Sequence, residues 1–111
     1  MLTSDPRLEV MTRLGRALAD PSRCRILLQL LDGPAYPAEL AADLGLSRSN
    51  VSNHLACLRG CGLVVLTPEG RRTRYELTDR HLAHALADLL EVAPPAEVCA
   101  TGEEAAVGAA G

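Results

Sequence analysis

Residues 47–61, Ser-Arg-Ser-Asn-Val-Ser-Asn-His-Leu-Ala-Cys-Leu-Arg-Gly-Cys, hold the densest chemistry of the 111-residue chain. Cys57 and Cys61 stand four residues apart, and on a helix that spacing puts both sulfurs on one face, with Cβ atoms about 5–6 Å apart. Two thiolates so placed can converge on one soft ion, or the two cysteines can pack as small hydrophobes. An ion held by two local ligands needs a third from elsewhere, and Cys99 stands alone in a stretch with little around it to pack against. Upstream, Ser47, Arg48, Ser49, Asn50, Ser52 and Asn53 gather short donors and acceptors with an arginine, the equipment for reading base edges in a DNA groove. His54 reads either as a phosphate contact or as a neighbour of Leu55. Cys24, among Ile26, Leu27 and Leu30, reads as a core residue, with an accessory metal role left open. No Cys-His-Asp set and no glycine-rich phosphate loop accompanies these residues, so the chain does not read as an enzyme.

These side chains must be positioned by a small domain. The length suits one domain with a thin core, of the kind that often gains buried surface by dimerising. With no Phe, no Trp and two Tyr, that core has to be aliphatic. No run approaches the roughly 18–20 apolar residues needed to span a bilayer. The start, Met-Leu-Thr-Ser-Asp-Pro-Arg, lacks a basic segment followed by an apolar one, so a cytoplasmic protein without a membrane partner is expected. Its four cysteines then read as thiols, not as a disulfide framework. The net charge of −3 conceals an asymmetry. From Gly45 to Tyr75, Arg48, Arg59, Arg71, Arg72 and Arg74 face one acid, Glu69, for a local +4. A basic middle in an acidic chain is what local phosphate binding requires.

Apolar spacing near 3.6 predicts a first helix over 7–19, entered through Asp5-Pro6. Asp20-Pro21 starts a second, which runs through Leu31 and stops at Asp32-Gly33-Pro34. Pro37 opens a short helix over 37–44 closed by Gly45, and Ser47 caps a fourth over 48–60 that ends at Gly62. The period then turns extended: 63–67, turn residues Pro68-Glu69-Gly70, and an alternating strand over 72–77. Thr78-Asp79 caps a last helix, 80–92, with Leu82, Ala83, Leu86, Leu89 and Leu90 on one face. The fold class is therefore mainly α with a small β-hairpin: a dimeric winged helix-turn-helix domain over 1–92 and a flexible tail over 93–111. In that motif the second helix of the pair enters the major groove, and Arg71, Arg72 and Arg74 on the hairpin suit phosphates or the minor groove.

The stretches Leu-Ala-Asp-Pro-Ser-Arg-Cys-Arg-Ile-Leu (18–27), Glu-Leu-Ala-Ala-Asp-Leu-Gly-Leu-Ser-Arg-Ser-Asn-Val-Ser-Asn-His-Leu (39–55) and Leu-Arg-Gly-Cys-Gly-Leu-Val (58–64) together resemble the ArsR/SmtB family of bacterial metal-responsive repressors. Gly70-Arg71-Arg72 and Tyr75-Glu76-Leu77 fit its wing. The resemblance implies a homodimer built by the first and last helices on a two-fold operator of double-stranded DNA. Family sensors that bind on the third helix carry Cys-x-Cys where this chain has Ala41 and Ala42. Those that bind zinc on the last helices need, after Asp79-Arg80-His81, a second pair of ligands where Val92 and Pro95 stand, and His84 and Glu91 do not restore the spacing. What remains is similar to the CmtR-type cadmium- and lead-sensing branch. It implies that Cys57, Cys61 and a tail cysteine, Cys99, of the same or the partner subunit, take Cd(II) or Pb(II), with Zn(II) as a further candidate. The rival expectation keeps the repressor and lets Cys57 and Cys61 sense redox state or reactive sulfur.

Overall fold

Prolines and short polar residues set the helix starts. α1 (Pro6–Leu18), α2 (Pro21–Asp32) and α3 (Pro37–Leu44) each carry proline in the first turn, where its missing N–H leaves no bond unmade. Asp5 accepts from the Arg7 N–H and Asp20 from the Arg23 N–H, both at 2.9 Å, satisfying amides the helices leave free. Ser47 Oγ accepts from the Asn50 N–H at 3.0 Å to cap α4 (Arg48–Gly60), and Asp79 from the Leu82 N–H at 3.0 Å to cap α5 (Arg80–Val92). This computed structural model describes residues 5–92. The expected tail, 93–111, lies outside the described residues, and Cys99 with it. The first helix begins and ends one residue earlier than its periodicity suggests, because Ala19 serves as the cap.

Glycine ends the two helices of the helix-turn-helix. Gly45 and Gly62 adopt left-handed backbone angles (φ 68° and 80°). The residue after each bonds back five positions, Leu46 N–H to the Ala41 carbonyl at 3.0 Å and Leu63 N–H to the Leu58 carbonyl at 2.9 Å. That closure satisfies the last carbonyls and drives Leu63 into the core beside Leu58.

The hairpin corrects one sequence expectation. β1 (Val64–Glu69) and β2 (Arg72–Leu77) pair antiparallel with Glu69 opposite Arg72, so the loop is Gly70-Arg71 and not Pro68-Glu69-Gly70. Gly70 supplies the positive φ (63°) that a two-residue loop needs. Pro68 stays within β1 opposite Thr73, which a two-stranded sheet tolerates because each strand has a free edge. A one-residue bridge between Ala35 and Tyr75 adds the α2–α3 connection to β2, with bonds of 2.9 and 2.8 Å.

The core is aliphatic. Ile26, Leu27 and Leu30 of α2, Leu40 of α3, Val51, Leu55 and Leu58 of α4, and Leu63 and Val64 pack together. α5 touches this core only through Leu82 and Leu86 and buries no residue fully. No helix among the described residues is long and apolar enough to cross a membrane.

Candidate functional site

α4 carries two surfaces and an anchor. Val51, Leu55 and Leu58 recur at helical spacing and are fully buried, so one face of the helix is fixed to the domain. Ser47, Arg48, Ser49, Asn50, Ser52 and Asn53 consequently all point outward and are exposed. Among the described residues Arg48 has no ion-pair partner. Ser47 Oγ and Ser49 Oγ lie 3.3 Å apart beside the cap. His54 lies at the edge of the buried stripe, half-buried, with Nε2 3.8 Å from Asp20 Oδ2. It therefore ties α4 to the start of α2 and does not share the outward aspect of its neighbours. The Arg23 N–H holds the Asp20 carboxyl below the usual carboxylate range, with the charges of His54 and Arg23 adding to it.

One turn before its end, α4 presents the thiol pair. Cys57 is exposed; Cys61, the capping residue, is half-buried and packs against the core. The Cys61 N–H donates to the Cys57 carbonyl at 3.0 Å, so the two residues span the final turn. The helix C-terminus carries the negative end of the backbone dipole and favours a cation beside it. Donor type, spacing and access fit a soft ion held by two thiolates. A third ligand is not supplied nearby, since no three His, Cys, Asp or Glu side chains cluster at metal-binding distance among the described residues. Cys24 is half-buried, not fully buried, and its thiol donates to the Leu18 carbonyl at 2.9 Å.

The hairpin arginines divide. Arg71 sits in the loop, exposed, with no acid in ion-pair range among the described residues. Arg72 lies with its guanidinium carbon 3.5 Å from the centre of the Tyr36 ring and Nη2 3.9 Å from Glu39. Arg74 lies 3.4 Å from Glu69 through Nε and 4.0 Å from Glu76 through Nη2. Its Nε is buried and off the line of a hydrogen bond to that carboxylate. Tyr36 was missed by sequence reasoning. Its hydroxyl donates to Glu69 Oε1 at 2.6 Å, which raises the phenol above its ordinary range and keeps it protonated. No sequence signal marked it, because the pairing of Glu69 with Arg72 that brings an acid and a base beside the ring exists only in the folded hairpin.

Away from the exposed polar face of α4, apolar surface is left open among the described residues. Leu8 and Met11 on α1 are 62% and 68% exposed, and Leu89 and Leu90 on α5 are 51% and 54% exposed. A groove of about 360 Å³ runs between α2 and α5, lined by Leu18, Cys24, Leu27, Leu28, Leu86, Leu89 and Leu90.

Residues 20–65 match the model of the bacterial regulatory protein arsR family. The chain is 67% identical over 92 residues to the HTH-type transcriptional regulator CmtR of Mycobacterium tuberculosis, covering 83% of this chain and 78% of that protein. The NMR structure of the cadmium metal-sensor CMTR from Mycobacterium tuberculosis superposes with a TM-score of 0.63 over 78% of this chain and 92% of that one. The homodimeric winged helix-turn-helix DNA-binding domain Mb0332 from Mycobacterium bovis, 29% identical, gives a TM-score of 0.74 over 83% of this chain and 89% of that one.

Proposed function

Because the chain belongs to the bacterial arsR family of regulatory proteins, and is a DNA-binding winged helix-turn-helix protein, we propose that it is a cytoplasmic, metal-responsive transcriptional repressor. The metal-free homodimer holds an operator, and Cd(II) or Pb(II), with Zn(II) as a further candidate, releases it. One observation carries this reading. Cys57 and Cys61 stand at the end of the same anchored helix whose opening turns expose Ser47, Arg48, Ser49, Asn50, Ser52 and Asn53.

In this reading the opening turns of α4 lie in the major groove, where serine and asparagine donors and acceptors meet base edges. Arg48 and Arg71, the hairpin arginine with no acid in ion-pair range among the described residues, meet phosphates. Two such helices face successive grooves only when two protomers associate, and the exposed apolar faces of α1 and α5 are the surface available for it. The inducing ion supplies a thiophilic cation for Cys57 and Cys61, with Cys99 completing the donor set. Cys61 also packs on the core, so turning its sulfur toward a shared ion disturbs the seat of α4. Metal and DNA are then linked, and each must weaken the other's binding by the same factor.

The test is a titration of the reduced protein with Cd(II). A thiolate charge-transfer band saturating at one ion per protomer, together with release of operator DNA, supports the proposal. C99S should keep metal-free DNA binding and lose release. Release by oxidant or persulfide but not by Cd(II) would instead favour the redox or reactive-sulfur reading of Cys57 and Cys61.

A further inference from the structure

We propose that Tyr36 is a positioning residue for DNA binding, gripping both feet of the hairpin loop so that Arg71 is the arginine the wing delivers to a phosphate. The proposal rests on the reading of this chain as a DNA-binding dimer. The geometry is specific. Glu69 and Arg72 are the last paired residues before the loop and the first after it. The Tyr36 hydroxyl holds Glu69 at 2.6 Å, while the Tyr36 ring lies under the Arg72 guanidinium at 3.5 Å. One side chain therefore fixes both ends of the Gly70-Arg71 loop.

Tyr36 is itself fixed to the helix-turn-helix. It immediately precedes α3, and its N–H donates to Glu39 Oε1 at 3.2 Å. Its neighbour Ala35 pairs with Tyr75 of β2. Glu39 also reaches Arg72 at 3.9 Å, so α3 and the loop share a second contact. A two-stranded hairpin on its own is marginally stable and swings about its base. Anchoring its tip to α3, which packs against α4, sets the distance between the loop and the DNA-reading helix before DNA arrives. Preorganisation of this kind raises affinity by reducing the ordering that binding requires.

The same contacts sort the three wing arginines. Arg72 is stacked and paired, and Arg74 sits between Glu69 and Glu76. Moving either to a phosphate breaks contacts that hold the hairpin, whereas Arg71 has none to break among the described residues. Guanidinium-on-aromatic stacking is one of the uses for which lysine does not replace arginine.

The test measures affinity of the full chain for a duplex that the wild-type protein selects from a random-sequence pool, as a function of salt. R71A should reduce the magnitude of the slope of log K against log salt by about 0.9 for each wing on DNA, about 1.8 for a dimer. Y36A should lose affinity and slope to a similar extent, and the Y36A/R71A double variant should fall little below either single one. R72K, which keeps the charge and loses the planar stack, should behave as a weaker Y36A. Y36F retains the ring and loses only the bond to Glu69, so it should fold and show an intermediate loss. Wild-type slope in Y36F and Y36A, or losses that add in full to that of R71A, would overturn the positioning role while leaving the repressor reading intact. A wild-type protein that selects no duplex would overturn both.

Discussion

A helix that must be both anchored and chemically open separates its residues by face, and α4 does this position by position. Leu58 is fully buried in the aliphatic core, whereas Asn53 is exposed. L58A should destabilise the fold by about 2–5 kcal/mol in urea unfolding, since it removes buried methyl groups and leaves a cavity. N53A should change unfolding by less than about 0.5 kcal/mol and appear instead in DNA affinity. The thiols divide by the same rule. Cys61 follows Leu58 by three positions and turns partly inward, while Cys57, one position before Leu58, is exposed. That difference was legible once the buried stripe was known. The direction of His54 was not, because a residue at the boundary of a helical stripe can face either way until a neighbouring element supplies a partner.

Between elements, short polar contacts decide how the helices meet. Asp20 caps α2 and faces His54 of α4, so one carboxylate serves a helix start and a helix–helix contact. Its acidity is raised in the fold, so the stabilisation it gives is present above the ordinary carboxylate range, near pH 4, and is lost as pH falls through its lowered native value. D20N keeps an equally good cap and removes the charge. The stability gap between wild type and D20N should therefore be open above about pH 4 and close as pH falls below it. Thermal unfolding across pH checks it. The element boundaries themselves were readable to within one or two residues, because capping residues, prolines and glycines stand where helices change. The hairpin loop was displaced because Pro68 has turn chemistry in the sequence, and only the pairing shows that it needs no partner for an N–H it lacks.

At the scale of the whole molecule, the described residues leave apolar surface on α1 and α5 uncovered. α5 seats Leu82 and Leu86 on the core and turns Leu89 and Leu90 outward, next to the groove it forms with α2. In the proposed homodimer, L89E should give a folded monomer by sedimentation equilibrium, with far-UV circular dichroism unchanged, and should lose most operator affinity because two half-sites are no longer bound together. An unchanged dimer in L89E would move the interface away from α5.

Local chemistry was written in the chain itself: helix starts and stops, the polar opening of α4, the i, i+4 thiol pair and the basic hairpin all follow from residue type and spacing. Tertiary structure decided which of these side chains remain free. Periodicity reports the face of one element at a time, whereas a partner such as Glu69 for Tyr36, or Asp20 for His54, comes from a segment 33 or 34 residues away and exists only once the chain has packed. For that reason Arg71, Arg72 and Arg74 look equivalent in sequence, whereas among the described residues Arg71 has no ion-pair partner and Arg72 and Arg74 are held against acids.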